Sequence, residues 1–299
     1  MPFSTIAITF IVIIALEAGV VIIGNVFTIF VFWTRRFHLR RTYLPLINLA
    51  VADLLAGIGE TLVLATHTIP SGGNEAEKTR SPSWALEVFG SSTSVVFLAL
   101  ISLERVYAVL WPLRHRVTST RVYIYSIVVV WVVGLCMGGL SLLTIYHVDF
   151  IYAAVTYASV LFISLFVICL SYLTIRSRLH CTSPDLEVHR QTSSTEQNLP
   201  MSRTLFIMIA ASLVFWLPAF VILIIKDFCS CFSPLAVFFV TVVHLGNSMI
   251  NPFVYSFRMP IFKVALTKCW RKRRQNIELR AVPPKMNSVP EKRKFTTHL

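Results

Sequence analysis

Apolar residues fill seven stretches of this chain, and polar residues mark the joins between them. The stretches run near residues 4–33, 43–66, 83–109, 122–145, 151–175, 204–225 and 234–257. Each is long enough to cross a hydrocarbon layer as a helix, which takes about 20 residues. The first is expected to stay as an anchor. It has no basic start, runs on without a small-residue cleavage site, and passes into Arg35 and Arg36. The third is the least ordinary. Glu87 and Arg105 stand 18 residues apart in it, five helical turns, so both point the same way about 27 Å apart. Ser94 falls on nearly the same line. One polar line on an apolar helix thus joins the two sides of a membrane.

Composition agrees with a membrane chain. Of 299 residues, 56% are hydrophobic and 14% charged, with a mean hydropathy of +0.71. A soluble domain carries nearer a quarter charged residues. The net charge is +13, but its placement argues against nucleic acid as the partner. All 27 Lys and Arg except Lys78, Arg80 and Lys226 fall after the odd-numbered spans or at their inner edges. Basic loops stay inside, so the N-terminus is expected outside and the tail in the cytoplasm. The predicted fold class is an all-α membrane protein, a seven-helix bundle over 1–257.

The segments between the spans add little. Residues 71–83 are rich in Gly, Pro and charge, 147–150 barely form a loop, and 180–200 are polar and expected to be mobile. The six cysteines make no disulfide framework. Cys136 and Cys169 are expected as small packing residues. Cys229 and Cys231 are one residue apart, so a bond between them would be strained. Beyond the last span, 258–270 places Phe262, Leu266 and Trp270 at spacing four with Lys263 and Lys268 between. That pattern predicts an amphipathic helix on the inner leaflet. Cys269, beside the basic run 271–274, is a candidate for acylation, with an unmodified cysteine the equal alternative. Residues 271–299 read as a disordered basic tail. The outer N-terminus is short, and no Asn-x-Ser/Thr acceptor is present, so a large ectodomain is not expected.

Polar groups inside spans are costly and each needs an account. Asn25 lies in the first span, Asp53 in the second, Ser94 in the third, and Asn247, Ser248 and Asn251 in the seventh. A carboxylate ringed by hydroxyls and amide oxygens suits one Na⁺; a closed polar network serving packing is the alternative. Pro218 and Pro252 lie deep in the sixth and seventh spans, where each removes a backbone hydrogen bond and allows a bend. Trp216, two residues before Pro218, is expected to face inward, where core filling alone would also account for it.

These residues resemble the rhodopsin-like G protein-coupled receptors. The motifs are Gly24-Asn25; Asn48 to Asp53-Leu54; Glu104-Arg105-Val106; Trp131; Tyr172; Phe215-Trp216-Leu217-Pro218; and Asn251-Pro252 to Tyr255. One falls in each span, in register, which makes the set specific where any single member is weak. The resemblance implies that Glu104 holds Arg105 at rest and that activation frees Arg105 for a heterotrimeric G protein. It implies that Tyr172 and Tyr255 turn inward in the open state and that Trp216 pivots. Asp53, Ser94, Asn247, Ser248 and Asn251 match the family's sodium pocket. No other cofactor is implied; arrestin and a receptor kinase are further partners of such proteins, and lipid surrounds them.

The departures are equally specific. Glu-Arg-Val stands where Asp-Arg-Tyr is commonest, and the fifth span lacks the usual proline. Arg80 occupies the place of a common cysteine, and the loop after the fourth span has none, so the common disulfide between them cannot form. That pattern, with cysteines in the last outer loop, is similar to melanocortin receptors and their lipid-receptor relatives, whereas the seventh span also looks like adenosine receptors. Glu87 matches the position of an aspartate in amine receptors, although Leu245 and Ala219 make a poor aromatic cage. Glu60, seven residues from Asp53, shares its face. The expected ligand is therefore cationic, an amine or short peptide, paired to Glu87 with Glu60, Ser91, Phe220 and His244 in the same cavity. Neutral glutamates, or charge supplied by Arg80 or Lys226, are the alternatives. A nucleoside or lipid receptor and a transporter or channel are the other classes weighed. The odd span count and the lack of an internal repeat speak against transport. An enzyme is not expected, because His67, His147 and His244 are dispersed and form no metal cluster at helical spacing.

Overall fold

The computed structural model describes residues 2–34, 40–68, 82–145, 149–180, 210–212, 214–218, 221–222, 234–258 and 264. Residues Met1–Met259 form one unit and Pro260–Leu299 a second, of which only Val264 is described. The first unit is helical throughout its described spans. The first span is Pro2–Thr34, the second Leu44–Thr68, the third Pro82–Leu110 and the fourth Thr120–Leu143. The fifth is Phe150–His180 and the seventh Pro234–Arg258. Described parts of the sixth, at 210–212, 214–218 and 221–222, are helical as well. Five of these helices are by themselves long and apolar enough to cross a membrane.

The ends follow from local chemistry. Pro82 and Pro112 stand at helix starts, where a missing N–H costs nothing. Ser119 caps the fourth span by accepting from the Arg121 backbone N–H at 3.3 Å. Between the third and fourth spans lies a short inner helix, Pro112–Val117.

The third span is the axis of the bundle. In its most apolar window 72% of residues are buried, against 17% for the first span. Close backbone approach explains part of this. A Cβ at Gly90 would sit 2.3 Å from the Ala56 nitrogen, and one at Gly59 would sit 2.6 Å from the Glu87 Cα. Only glycine lets the second and third spans touch there, backbone to backbone. Val95 packs with Leu161, Leu165 and Trp216 to join the third, fifth and sixth spans. Trp131 of the fourth span donates to Asn48 Oδ1 of the second at 2.9 Å, with its ring against Phe89 and Phe97.

Outward faces stay apolar, as at Ile23, Phe30 and Phe166, which suits lipid rather than water. Cys136 and Cys169 correct an expectation. Both are exposed, so they lie on the outer face of their helices instead of filling the interior. Spans are apolar all round, so composition alone cannot tell the two faces apart.

Candidate functional site

Three polar stations lie along the third span. At the inner end, Arg105 pairs with Glu104 at 2.5 Å; Arg105 is buried and Glu104 half-buried. The same carboxylate has two further partners. His115 Nε2 lies 2.8 Å from Glu104 Oε1, and the Tyr123 hydroxyl donates to that oxygen at 3.3 Å. Tyr123 and His115 are themselves 3.1 Å apart. Arg41, from the segment before the second span, reaches the carbonyls of His115, Arg116 and Thr118, and lies over the Tyr123 ring. That guanidinium satisfies the last carbonyls of the short inner helix and so fixes His115. Arg105 keeps its Nε buried without a partner among the described residues.

In the middle, Asp53 is fully buried and accepts three hydrogen bonds. Ser94 donates to Oδ1 at 2.6 Å, Ser248 to Oδ1 at 2.8 Å, and Asn251 to Oδ2 at 2.8 Å. Second, third and seventh spans meet on one carboxylate. Asn247, placed with this group by its sequence match, makes no hydrogen bond to it; both its amide atoms are buried without a partner among the described residues. Asn25 donates to the carbonyls of Val21 and Ser248, tying the first span to the seventh. The donor set is entirely oxygen, and the Oδ1 atoms of Asn247 and Asn251 are buried and unpartnered, which fits a hard cation.

At the outer end a recess of about 920 Å³, counting all atom-free space within it, opens between the helices. Glu60 and Glu87 line it together with Trp84, Tyr157, Thr241 and His244, and Met137 and Leu161 give it apolar wall. Ser91, one turn beyond Glu87, meets the Tyr157 hydroxyl at 3.3 Å. Trp216 also lines the recess, 1% exposed, with its ring centroid 4.3 Å from that of His244. Its inward orientation is as the sequence predicts.

Of the other expected residues, Pro218 is half-buried and Pro252 is buried within the seventh helix. Tyr255 is buried edge-on to Phe32, and Tyr172 is half-buried in the fifth span. Phe220, Cys269, the surface helix and the tail lie outside the described residues, as do Arg80 and Lys226. Sequence reasoning missed His115, Tyr123 and Arg41. Glu104 and His115 flank the break between two helices, where helical spacing carries no signal. It also missed Tyr157 and Trp84 as lining residues; a polar ring on an apolar span was the only available cue.

The family model for the 7 transmembrane receptor (rhodopsin family) matches residues 24–255. Sphingosine 1-phosphate receptor 2 of Homo sapiens is 28% identical over 79% of this chain and 69% of its own length. Sphingosine 1-phosphate receptor 1 of Danio rerio is 24% identical over 79% and 71%. Somatostatin receptor type 5 of Rattus norvegicus is 28% identical over 82% and 73%. The matched segment holds the inner Glu104-Arg105 pair, the Asp53 cluster and the outer recess. This chain belongs to the rhodopsin family of seven-transmembrane receptors, as a multi-pass, non-enzymatic signalling receptor of the plasma membrane.

Proposed function

We propose that this receptor binds a cationic ligand, an amine or a short basic peptide, in the outer recess and answers by activating a heterotrimeric G protein inside. One observation carries the reading: two carboxyl side chains line the recess, and none of its described lining residues is Lys or Arg. A carboxylate in that setting is stabilised by a cation brought from outside. Glu87 is the primary partner, with Glu60, Ser91 and His244 at the same site and Phe220 proposed for it from the sequence alone.

Signalling is a shift between two states of the bundle. The agonist favours an open bundle from outside and the G protein favours it from inside, so each strengthens the other. Trp216 contacts both the recess and the Val95–Leu161–Leu165 core, which suits it to pass ligand contact to the bend at Pro218. Opening separates Arg105 from Glu104 and turns the guanidinium to the G protein, with Tyr172 and Tyr255 closing behind it. Pro252 supplies the matching bend in the seventh span, next to Asn251. Asp53, Ser94, Ser248, Asn247 and Asn251 would hold a sodium ion, which supplies positive charge that ties three spans together in the resting state. Residues 258–270 are proposed, from their sequence pattern, as an inner-leaflet helix with Cys269 a candidate for acylation, and 271–299 as a tail open to receptor kinase and arrestin.

A lipid ligand is the second reading. It rests on relatives named as receptors for sphingosine 1-phosphate and lysophosphatidic acid. A phosphate needs a basic partner, and the described recess wall offers two acids instead.

Membranes from cells expressing the full chain should show ligand-dependent guanine nucleotide exchange on added G protein. Against a panel of amines, basic peptides, nucleosides and lipids, cationic members should act. For an active amine, Glu87→Gln should lower potency about tenfold or more, the worth of one charge-assisted hydrogen bond. Full potency in that variant would remove the cationic reading while leaving the receptor class intact.

A further inference from the structure

The outer recess holds two carboxyl side chains, which together, when ionised, carry more charge than one cation offsets. Glu87 is 5% and Glu60 8% exposed, and both face the same space. Glu87 has a local partner, the hydroxyl of Ser91 one turn on. Glu60 has no hydrogen-bond or ion-pair partner among the described residues. It is a buried polar side chain aimed into a cavity with nothing to meet.

The backbone forces this pairing. Gly59 lies against the Cα of Glu87, so close that no side chain fits between. The next residue along, Glu60, is therefore held beside Glu87 on the cavity wall. Its charge acts on Glu87 and, from the other side, on Glu17 of the first span. Glu17 also has a buried carboxylate oxygen without a partner. Carboxyls this close in a low-dielectric interior either take up protons or need positive charge between them, and a ligand that brings two cations would draw both into the ionised form. A single ammonium satisfies one carboxylate and leaves the other uncompensated.

We infer that the ligand carries two cationic groups, one for Glu87 and one for Glu60, joined by an apolar segment. This rests on the cationic reading of the recess and names its substrate class more narrowly. An organic dication fits the rest of the wall. Val88, Met137, Ala154 and Leu161 offer surface to an aliphatic connector. A divalent metal ion would instead want six or more oxygen ligands. Trp216 lines the same recess, and its buried Nε1 proton, without a partner among the described residues, is a donor for an acceptor on the ligand.

The test uses the full receptor in membranes with G protein nucleotide exchange as readout. The probes are unbranched α,ω-diaminoalkanes of increasing length beside n-alkylamines of the same lengths. Cell-surface amount is measured for every variant and responses are normalised to it. The best diamine should act at about ten- to a hundredfold lower concentration than its matched monoamine, the factor for one further charge-assisted hydrogen bond. Glu60→Gln should remove that advantage, weakening the best diamine about ten- to a hundredfold more than its matched monoamine; Glu87→Gln should weaken both. Glu60→Asp keeps the charge on a shorter arm, so the preferred diamine should lengthen; this variant stands in if Glu60→Gln does not reach the surface. Equal potency of diamines and monoamines, both reduced by Glu87→Gln alone, would overturn the dication and leave the cationic reading standing. Silence toward both amine classes would overturn both. Activation by calcium or zinc alone, or by acid alone, lost in Glu60→Gln, would also overturn the dication in favour of a metal ion or a proton.

Discussion

The two ends of the third span treat their charges in opposite ways. At the inner end Glu104 is surrounded: Arg105, His115 and Tyr123 all reach it, and Arg41 braces the helix that presents His115. At the outer end Glu60 lines the recess without a partner among the described residues, and Glu87 has the hydroxyl of Ser91 beside it. A saturated charge acts as a latch, because another partner must compete for it before it moves. An unsaturated charge acts as a receptor site, because only a group from outside can complete it. The same residue type therefore has different uses at the two ends, and the neighbours decide which. Asp53 in the middle belongs with the latch, with three donors from two other spans.

The comparison breaks first at Arg105. Arg105→Ala should abolish agonist-driven nucleotide exchange while radioligand affinity in membranes stays within a few-fold. Loss of both together would mean that the inner end does no more than support the fold. A smaller change is expected at the middle. Asp53→Asn should remove any dependence of agonist affinity on sodium, measured against choline at equal ionic strength. A dependence that survives would move the ion away from this cluster.

The latch itself is sharpened by His115→Ala. It deletes one of three partners of Glu104, worth about 1 kcal/mol or somewhat more for a charged acceptor. Ligand-free exchange should rise several-fold, and Arg105 should stay competent. The same basal level as wild type would reduce His115 to a loop residue. The least effect is expected at Trp131→Phe, which loses the bond to Asn48 but keeps the ring contacts. Thermal stability in detergent should fall by about 1 kcal/mol, with signalling unchanged.

Much of this was legible beforehand because a helix repeats every 3.6 residues. The spacing of Glu87, Ser94 and Arg105 placed all three on one line, and each now marks a station. Ser94, Ser248 and Asn251 were assigned to Asp53 and do bond it. Asn247 was placed in the same pocket by resemblance; its amide is buried there without a bond to Asp53 among the described residues. The expectation for Cys136 and Cys169 failed. A lipid-facing and a core-facing position are equally apolar, so pattern alone cannot separate them.

The sequence by itself determined that seven apolar helices cross a membrane, which side their basic loops occupy, and which family motifs they carry. Hydropathy and loop charge act locally, so they can be read without coordinates. Only the tertiary structure decided who meets whom. It brought His115 and Tyr123 onto Glu104 and set Arg41 against the helix that carries His115, from three separate elements. Through the bare backbone of Gly59, it also set Glu60 beside Glu87. Those contacts join residues far apart along the chain, and their existence depends on how closely two helices approach. That distance is a property of packing, which no residue spacing along one chain encodes.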